Sequence, residues 1–169
     1  MRRTGGQYFE RMRVCTGYTA CSRVYVSKEL RQQFVGLLVA KTKRIRIGNP
    51  LERDVWLGPV INEAAVKTYE RAIAQATRDG GKILTGGRRL TDGPFAHGWF
   101  VEPTIIDGLP TDHPLFSEEL FVPITVIGDV ATLDEAIELA NRTEYGLTAG
   151  IFSEDDREIE QFFNRVHAG

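Results

Sequence analysis

A stretch in the second half of the chain gives the clearest indication of the fold class: Ile124-Thr125-Val126-Ile127-Gly128-Asp129-Val130-Ala131-Thr132-Leu133-Asp134-Glu135. Its first seven residues form a strand-like run of mostly apolar side chains. The spacing Thr132-x-x-Glu135 is a capping box, which predicts a helix that extends to about Arg142. Its predicted inner face consists of Leu133, Ala136, Ile137 and Ala140. A strand followed by a capped amphipathic helix is typical of an α/β protein.

The alternation of strands and helices continues on both sides of this stretch. Further strands are predicted over residues 22–26, 82–85, 100–106 and 148–152. Helices are predicted over residues 28–46 with Ser27 as the cap, over residues 62–79 up to Gly80-Gly81, and after Ser153-x-x-Asp156. We therefore expect an α/β fold with an open, largely parallel sheet flanked by helices.

Apolar residues at helical spacing predict which faces of these helices are buried. The predicted buried residues are Leu30, Phe34, Leu37, Leu38 and Ile45 in the first helix, Val66, Tyr69, Ile73 and Ala76 in the second, and Ile159, Phe162, Phe163 and Val166 in the last. The histidines His97 and His113 lie in apparent loops, where a surface position is expected.

Composition excludes several classes of function. The chain has 169 residues, of which 42% are hydrophobic and 26% charged, as in a globular domain. A net charge of −2 argues against nucleic acid or a polybasic membrane contact as a partner. No apolar run approaches the roughly 20 residues that cross a bilayer. The two cysteines, Cys15 and Cys21, form neither a disulfide framework nor a metal site, so both are predicted to be reduced, in the cytoplasm.

Several separate motifs follow one another in order along the chain. They are Gly17-Tyr18-Thr19-Ala20-Cys21-Ser22-Arg23, Ile47-Gly48-Asn49-Pro50 with Gly58-Pro59-Val60-Ile61, Glu102-Pro103-Thr104-Ile105, Glu118-Glu119-Leu120-Phe121-Val122-Pro123, and Asn141-Arg142-Thr143-Glu144-Tyr145-Gly146-Leu147-Thr148-Ala149-Gly150. In this order they resemble the catalytic domain of the aldehyde dehydrogenase superfamily. Within it, the chain looks most like the 1-pyrroline-5-carboxylate dehydrogenases, which implies glutamate semialdehyde as the ancestral substrate.

The resemblance places an unexpected residue at the nucleophile position. The family pattern Gly-Gln-x-Cys-x-Ala-Cys-Ser-Arg aligns its catalytic cysteine with Tyr18. A tyrosine phenol is protonated near pH 7 and is a poorer nucleophile than a thiolate. The nucleophile position therefore holds a residue that does not suit attack on an aldehyde.

The resemblance also implies two cofactor contacts. Family members oxidise aldehydes to acids with NAD or NADP. By resemblance, Glu119 hydrogen-bonds the hydroxyls of the nicotinamide ribose, and Phe121 lies against the nicotinamide side of the cofactor. A carboxylate suits a vicinal diol because it accepts from both hydroxyls. The alternative is that Glu119 is a solvated loop acid and Phe121 a core residue. Val122 departs from the pattern, which usually has glycine there.

The aligned motifs cover only part of the family's catalytic domain. In the family, the general-base glutamate, the oxyanion asparagine and most of the dinucleotide-binding domain precede the nucleophile. A Pro-Phe-Gly-Gly segment and an oligomerisation strand follow the position of Gly169. We therefore expect an irregular N-terminal segment over residues 1–14 and a partial catalytic domain over residues 15–169. The isolated chain is expected to lack dehydrogenase activity, because a subset of the catalytic groups contributes little.

Two other functions remain open at this point. One is a non-catalytic interaction module, whose uncovered strand edges pair with another copy of the chain or with a full-length relative. The other is a thiol hydrolase that uses Cys15 as a displaced nucleophile. Cys21 precedes a hydrophobic strand, so an inert buried thiol is the preferred interpretation there.

Overall fold

The computed structural model describes residues 21–168. In that range the strands are β1 (Arg23–Ser27), β2 (Lys82–Thr85), β3 (Arg89–Leu90), β4 (Phe100–Val101), β5 (Thr104–Asp107) and β6 (Ile124–Val130). The helices are α1 (Arg31–Thr42), α2 (Glu63–Arg78), α3 (Leu133–Ala140) and α4 (Asp156–Arg165), with short 3-10 turns at Gly93–Phe95 and Pro114–Phe116. None of these helices is long and apolar enough to cross a membrane.

Four strands form one open sheet in the order β1-β6-β5-β2. Strand β6 runs parallel to both of its neighbours, with Arg23 opposite Val126 and Thr104 opposite Ile124. Strand β2 is antiparallel to β5, and β3 pairs with β4 in a separate two-stranded ribbon. The prediction of an open, largely parallel sheet flanked by helices is confirmed.

Two strand predictions need correction. The run predicted over residues 100–106 is divided between β4 and β5. The break falls at Pro103, which has no backbone N–H to donate to a ladder. Residues 148–152 form no strand. Apolar and β-branched composition is not sufficient there, because a strand also requires a partner and residues 148–152 pair with no described strand.

The predicted cap of α3 is confirmed, and α2 is capped by Asn62, the residue at which the sequence prediction starts the helix. The Asn62 side chain accepts from the amide of Ala65, and the Thr132 hydroxyl accepts from the amide of Glu135. Helix α2 is followed by Gly80 at a φ of 88°. Glycine adopts this left-handed conformation at little cost, which explains why the helix ends there.

The starts of α1 and α4 differ from the prediction. Ser27 does not cap α1; the helix starts after Leu30, which provides no side-chain cap. In α4 the cap is Asp155, which accepts from the amide of Arg157, and not Ser153. The Ser153 hydroxyl instead accepts from the Asp155 amide, so it stabilises the turn just before the helix.

Alternate side chains of the sheet contribute to two hydrophobic clusters. Ile106, Ile124 and Val126 belong to the larger cluster together with α2, whereas Ile105 and Ile127 belong to a smaller one beside α1. The inner face of α1 is formed by Phe34, Val35, Leu38 and Val39. The prediction for this helix was therefore partly wrong, since Leu30 and Leu37 are exposed. In α4, Phe162 is buried but Phe163 is exposed.

Tyr69 in helix α2 carries a polar group into the larger cluster. Its side chain is fully buried. The hydroxyl donates to the carbonyl of Glu102 at 2.9 Å, accepts from the amide of Gly87 at 3.0 Å and lies 2.6 Å from the Thr104 hydroxyl. Burying this hydroxyl is tolerated because its hydrogen-bonding capacity is satisfied.

Tyr69→Phe is expected to lower the free energy of unfolding by about 1–3 kcal/mol, because it leaves buried polar groups with fewer partners. Urea unfolding monitored by far-UV circular dichroism measures this loss. The exposed residue Phe152 provides a control, since Phe152→Leu is expected to change the free energy by less than about 0.5 kcal/mol. Equal effects of the two substitutions would contradict this role of the Tyr69 hydroxyl.

Candidate functional site

Two segments of the chain meet at the amino-terminal ends of the parallel strands β1 and β6. Strands β1 and β6 run in the same direction, so the chain that enters β1 lies beside the chain that enters β6. The Cys21 carbonyl accepts from the Thr125 hydroxyl at 2.8 Å, and the Ser22 carbonyl accepts from the Val126 amide at 2.9 Å. Cys21 and Ser22, which follow the predicted nucleophile position Tyr18 in the sequence, are therefore hydrogen-bonded to the start of β6.

The end of helix α3 lies near the amino-terminal ends of the same strands. Helix α3 follows β6, and the residues after it contact Arg23 at the start of β1. The Arg23 guanidinium donates to the Thr143 hydroxyl at 3.2 Å and to the Leu139 carbonyl at 3.5 Å. Three segments that are distant in sequence thus converge on one place.

The segment that enters β6 is a loop over residues 117–123, hereafter the Glu119 loop. It starts from the 3-10 turn Pro114–Phe116, whose Leu115 and Phe116 side chains are buried. At its other end Val122 is buried and its carbonyl accepts from the Ile124 amide at 2.7 Å. The loop is therefore fixed to the hydrophobic core at both ends.

His113 supports the start of this loop and is buried, with 7% of its surface exposed. The expectation of a surface position was wrong. Its Nδ1 accepts from the Leu115 amide at 3.2 Å, so its Nε2 carries the proton that is donated to Asp79 Oδ2 at 3.1 Å. The imidazole thereby connects the 3-10 turn to the end of α2.

Phe121 has an unusual backbone conformation. It has a φ of 54°, the only positive φ of a non-glycine residue in residues 21–168. Its side chain is 59% exposed, so it is not the core residue that the alternative interpretation predicted. A bulky residue in the left-handed region is strained, and such strain is concentrated at functional sites.

Glu119 lies at a pocket of about 560 Å³. The pocket is lined by Ser117, Glu119, Arg142, Thr143, Glu144 and Tyr145. Glu119 is exposed, so its carboxylate can accept hydrogen bonds from a ligand. The lining carries two carboxylates and one guanidinium, which suits a ligand with several hydroxyl groups.

Sequence reasoning assigned a role to Glu119 alone among the pocket residues. The other lining residues from Arg142 to Tyr145 belong to the motif after α3, to which no role was given. A signal was present, because Tyr145 and Thr143 are hydrogen-bonding side chains in a short segment directly after a helix end. Only the three-dimensional structure shows that this segment lies beside Glu119.

Of Tyr18 and the two thiol candidates, the structure describes only Cys21. Tyr18 and Cys15 lie outside the described residues. Cys21 is exposed and not buried as expected, and its thiol donates to the Arg23 carbonyl at 3.1 Å. Although part of the residue faces solvent, desolvation raises the pKa of the Cys21 thiol. This direction disfavours the thiolate and agrees with an inert sulfur.

The pair of Asp79 and His113 predicts a change of stability with pH. The hydrogen bond from His113, aided by the charge of Arg78, lowers the pKa of the Asp79 carboxyl below its ordinary value. A lowered folded-state pKa stabilises the fold above the unfolded-state pKa of about 3.9, and this stabilisation is lost as the pH falls through the folded-state pKa.

Asp79→Asn is therefore expected to reduce stability at pH 7 and to lose less stability than the wild type between about pH 5 and pH 3. Urea midpoints measured across this range test the expectation. Asp112→Asn, at an exposed position, serves as the control. Parallel pH profiles for Asp79→Asn and wild type would show that the pair does not contribute.

Comparison with known proteins gives the family of this chain. A model of the aldehyde dehydrogenase family matches residues 11–169. D-glyceraldehyde dehydrogenase (NADP(+)) of Picrophilus torridus is 37% identical over 151 residues, which are 89% of this chain and 30% of that protein. Peroxisomal aminoaldehyde dehydrogenase 1 of Pisum sativum is 37% identical over 164 residues, which are 97% of this chain and 32% of that protein.

Solved structures agree with the sequence comparison. Betaine aldehyde dehydrogenase from Staphylococcus aureus, crystallised in complex with NAD+, matches with a TM-score of 0.83 at 32% identity. The match covers 88% of this chain and 29% of that one. The chain thus spans about 30% of the length of these relatives. None of the relatives named here is a 1-pyrroline-5-carboxylate dehydrogenase, so that closer resemblance stays a prediction. The chain belongs to the aldehyde dehydrogenase family.

Proposed function

We propose that this chain forms the nicotinamide-ribose side of an NAD(P) site in an aldehyde dehydrogenase catalytic domain. The observation that carries the proposal is the Glu119 loop. This loop is anchored in the core at both ends, yet it exposes the Glu119 carboxylate beside a pocket and holds Phe121 in a strained conformation. Glu119 lines the pocket, whereas Phe121, two residues further along the same loop, is exposed but is not part of the lining. An exposed carboxylate and an exposed aromatic ring on one loop suit a ribose that carries a planar ring.

The residues of the pocket fit such a ligand. The Glu119 carboxylate can accept from both hydroxyls of a ribose at once. The pocket volume of about 560 Å³ is within the range of small-molecule sites. One relative is named for NADP(+) and another was crystallised with NAD+, which supports either dinucleotide here. When bound, the nicotinamide would accept a hydride, and the role of this chain would be to orient the ribose.

We further propose that the isolated chain does not oxidise aldehydes. The support is Tyr18, which stands where the family pattern has its nucleophilic cysteine. A phenol does not supply the thiolate that attacks the carbonyl carbon. The Cys21 thiol does not replace it, because its pKa is raised and its proton is donated to the Arg23 carbonyl.

The substrate of the ancestral enzyme is proposed to be glutamate semialdehyde. The support is the likeness of three segments to the 1-pyrroline-5-carboxylate dehydrogenases, namely residues 20–23, 143–148 and 166–169. Relatives with similar identity are named for other aldehydes, including D-glyceraldehyde and aminoaldehydes. The proposal at the level of reaction class, oxidation of an aldehyde to an acid, therefore has the broader support.

A second candidate function is that of an interaction module. Strand β1 lies at one edge of the four-stranded sheet, and Leu147, Phe152 and Phe163 are exposed. Exposed apolar side chains and a sheet edge favour association with another chain. Size-exclusion chromatography with and without a full-length aldehyde dehydrogenase tests this function. A monomer in both experiments would exclude it.

Glu119→Gln is expected to weaken binding of NAD+ or NADP+ by about tenfold or more, because charge-assisted hydrogen bonds to the ribose are worth about 1.5–3 kcal/mol. Isothermal titration calorimetry of the purified chain provides the measurement. Glu138→Gln, at an exposed position of α3, makes the same chemical change and is expected to alter the Kd less than twofold. Equal affinities for wild type and Glu119→Gln would contradict the assigned role.

The purified chain is expected to form no NADH or NADPH above the blank rate with a panel of aldehydes, because Tyr18 does not provide a thiolate. Absorbance at 340 nm gives the rate, and an active aldehyde dehydrogenase assayed in parallel shows that the conditions suffice. Robust turnover by the wild-type chain, persisting in Tyr18→Phe, would show that another residue acts as the nucleophile.

A further inference from the structure

We propose that Tyr145 is a positioning residue that sets the orientation of Glu119 by holding the preceding peptide bond. This inference rests on the proposed role of Glu119 in binding the nicotinamide ribose. It gives a function to the motif after α3, residues 141–150.

The direct contact is a single hydrogen bond. The Tyr145 hydroxyl donates to the carbonyl of Glu118 at 3.0 Å. That carbonyl and the amide of Glu119 belong to the same planar peptide group. Holding the Glu118 carbonyl therefore restrains the peptide plane that ends at the Glu119 Cα atom, and this narrows the range of directions that the Glu119 side chain can take.

The other contacts of Glu118 involve its amide and its carboxylate, whereas Tyr145 holds its carbonyl. The Glu118 amide donates to the Pro114 carbonyl at 2.8 Å, which ties it to the 3-10 turn. Its carboxylate lies 3.6 Å from the Arg71 guanidinium on the surface, a type of pair that contributes little. Tyr145 thus adds a restraint on the side of Glu118 that faces Glu119.

Tyr145 is itself held in place by the start of strand β1. The Arg23 guanidinium lies 5.5 Å from the centre of the Tyr145 ring, within the range of a cation–π contact. Arg23 also donates to the Thr143 hydroxyl, and that hydroxyl donates to the Tyr145 carbonyl at 2.6 Å. Both the ring and the backbone of Tyr145 are therefore fixed relative to β1.

These contacts form a continuous connection from β1 to the peptide group that precedes Glu119. Arg23 is two residues from Cys21, in the segment that follows the predicted nucleophile position. Tyr145 therefore restrains the distance between the Glu119 loop, which precedes β6, and the residues that precede β1. The geometry of a bound cofactor relative to the nucleophile segment depends on this distance.

The test is a double-mutant cycle between Tyr145→Phe and Glu119→Gln. Tyr145→Phe keeps the ring over Arg23 and removes only the hydroxyl. Reduced nicotinamide mononucleotide is the probe, because it contains the nicotinamide ribose without the adenosine half. In the wild-type background Tyr145→Phe is expected to raise the Kd of this probe about fivefold, the value of one neutral hydrogen bond. In the Glu119→Gln background the rise is expected to be less than about twofold.

Tyr69→Phe is the matched control, since it removes a tyrosine hydroxyl that hydrogen-bonds residues outside the Glu119 loop. It is expected to lower the thermal midpoint without changing the Kd of the probe. An unchanged Kd in Tyr145→Phe would overturn the proposal. So would an equal rise in both backgrounds, because Tyr145 would then act independently of Glu119.

Amide hydrogen exchange distinguishes failure of this inference from failure of the proposed function. If the wild type does not bind the probe, the cofactor role of Glu119 fails, whereas the positioning role is still decided by exchange. Tyr145→Phe and Thr143→Val are expected to speed exchange in the Glu119 loop about fivefold, with little change in β6. Unchanged exchange in the loop in both variants would overturn the positioning role.

Discussion

The parallel register between β1 and β6 is the constraint on which the site depends. Because Arg23 lies opposite Val126 in parallel strands, the segments that precede β1 and β6 lie side by side at the amino-terminal end of the sheet. The backbone ladder, and not any contact within the site, brings the Glu119 loop next to the segment that follows the predicted nucleophile. A shift of one residue in this register would also turn Val126 and Ile127 to the wrong faces.

The position of the site departs from a general rule for open α/β sheets. Ligands usually bind beyond the carboxyl ends of the strands. Here the Glu119 loop and the chain before β1 lie at the amino ends, and helix α3 returns the Tyr145 segment to the same place. The pocket is thus built from segments that precede two strands and follow one helix. This arrangement places a strained residue, Phe121, between a buried turn and a central strand.

Much of the fold could be predicted from the sequence, because local signals were strong where they agreed with the packing. Strands β2 and β6 have the predicted bounds, and Thr132 caps α3 as its capping-box spacing predicts. Residues 148–152 show the limit of such reasoning. Their composition favours a strand, but strand formation depends on a partner that local sequence does not specify.

The candidate site was less predictable, for a related reason. Glu119 and Phe121 were identified from a resemblance, and the structure shows both exposed. Nothing in the local sequence indicates that Tyr145 reaches the Glu118 carbonyl, since 27 positions separate the two residues. The burial of His113 could not be predicted from the sequence either, because a histidine beside a proline is equally compatible with a surface turn and with a buried cap.

A crystal structure of the chain grown with NAD+ would show whether Glu119 binds the nicotinamide ribose. We expect both hydroxyls of the nicotinamide ribose within about 3 Å of the Glu119 carboxylate, with the Phe121 ring beside the nicotinamide and its backbone still left-handed. A dinucleotide bound away from the Glu119 loop, or a Glu119 carboxylate turned away from the ribose, would contradict it.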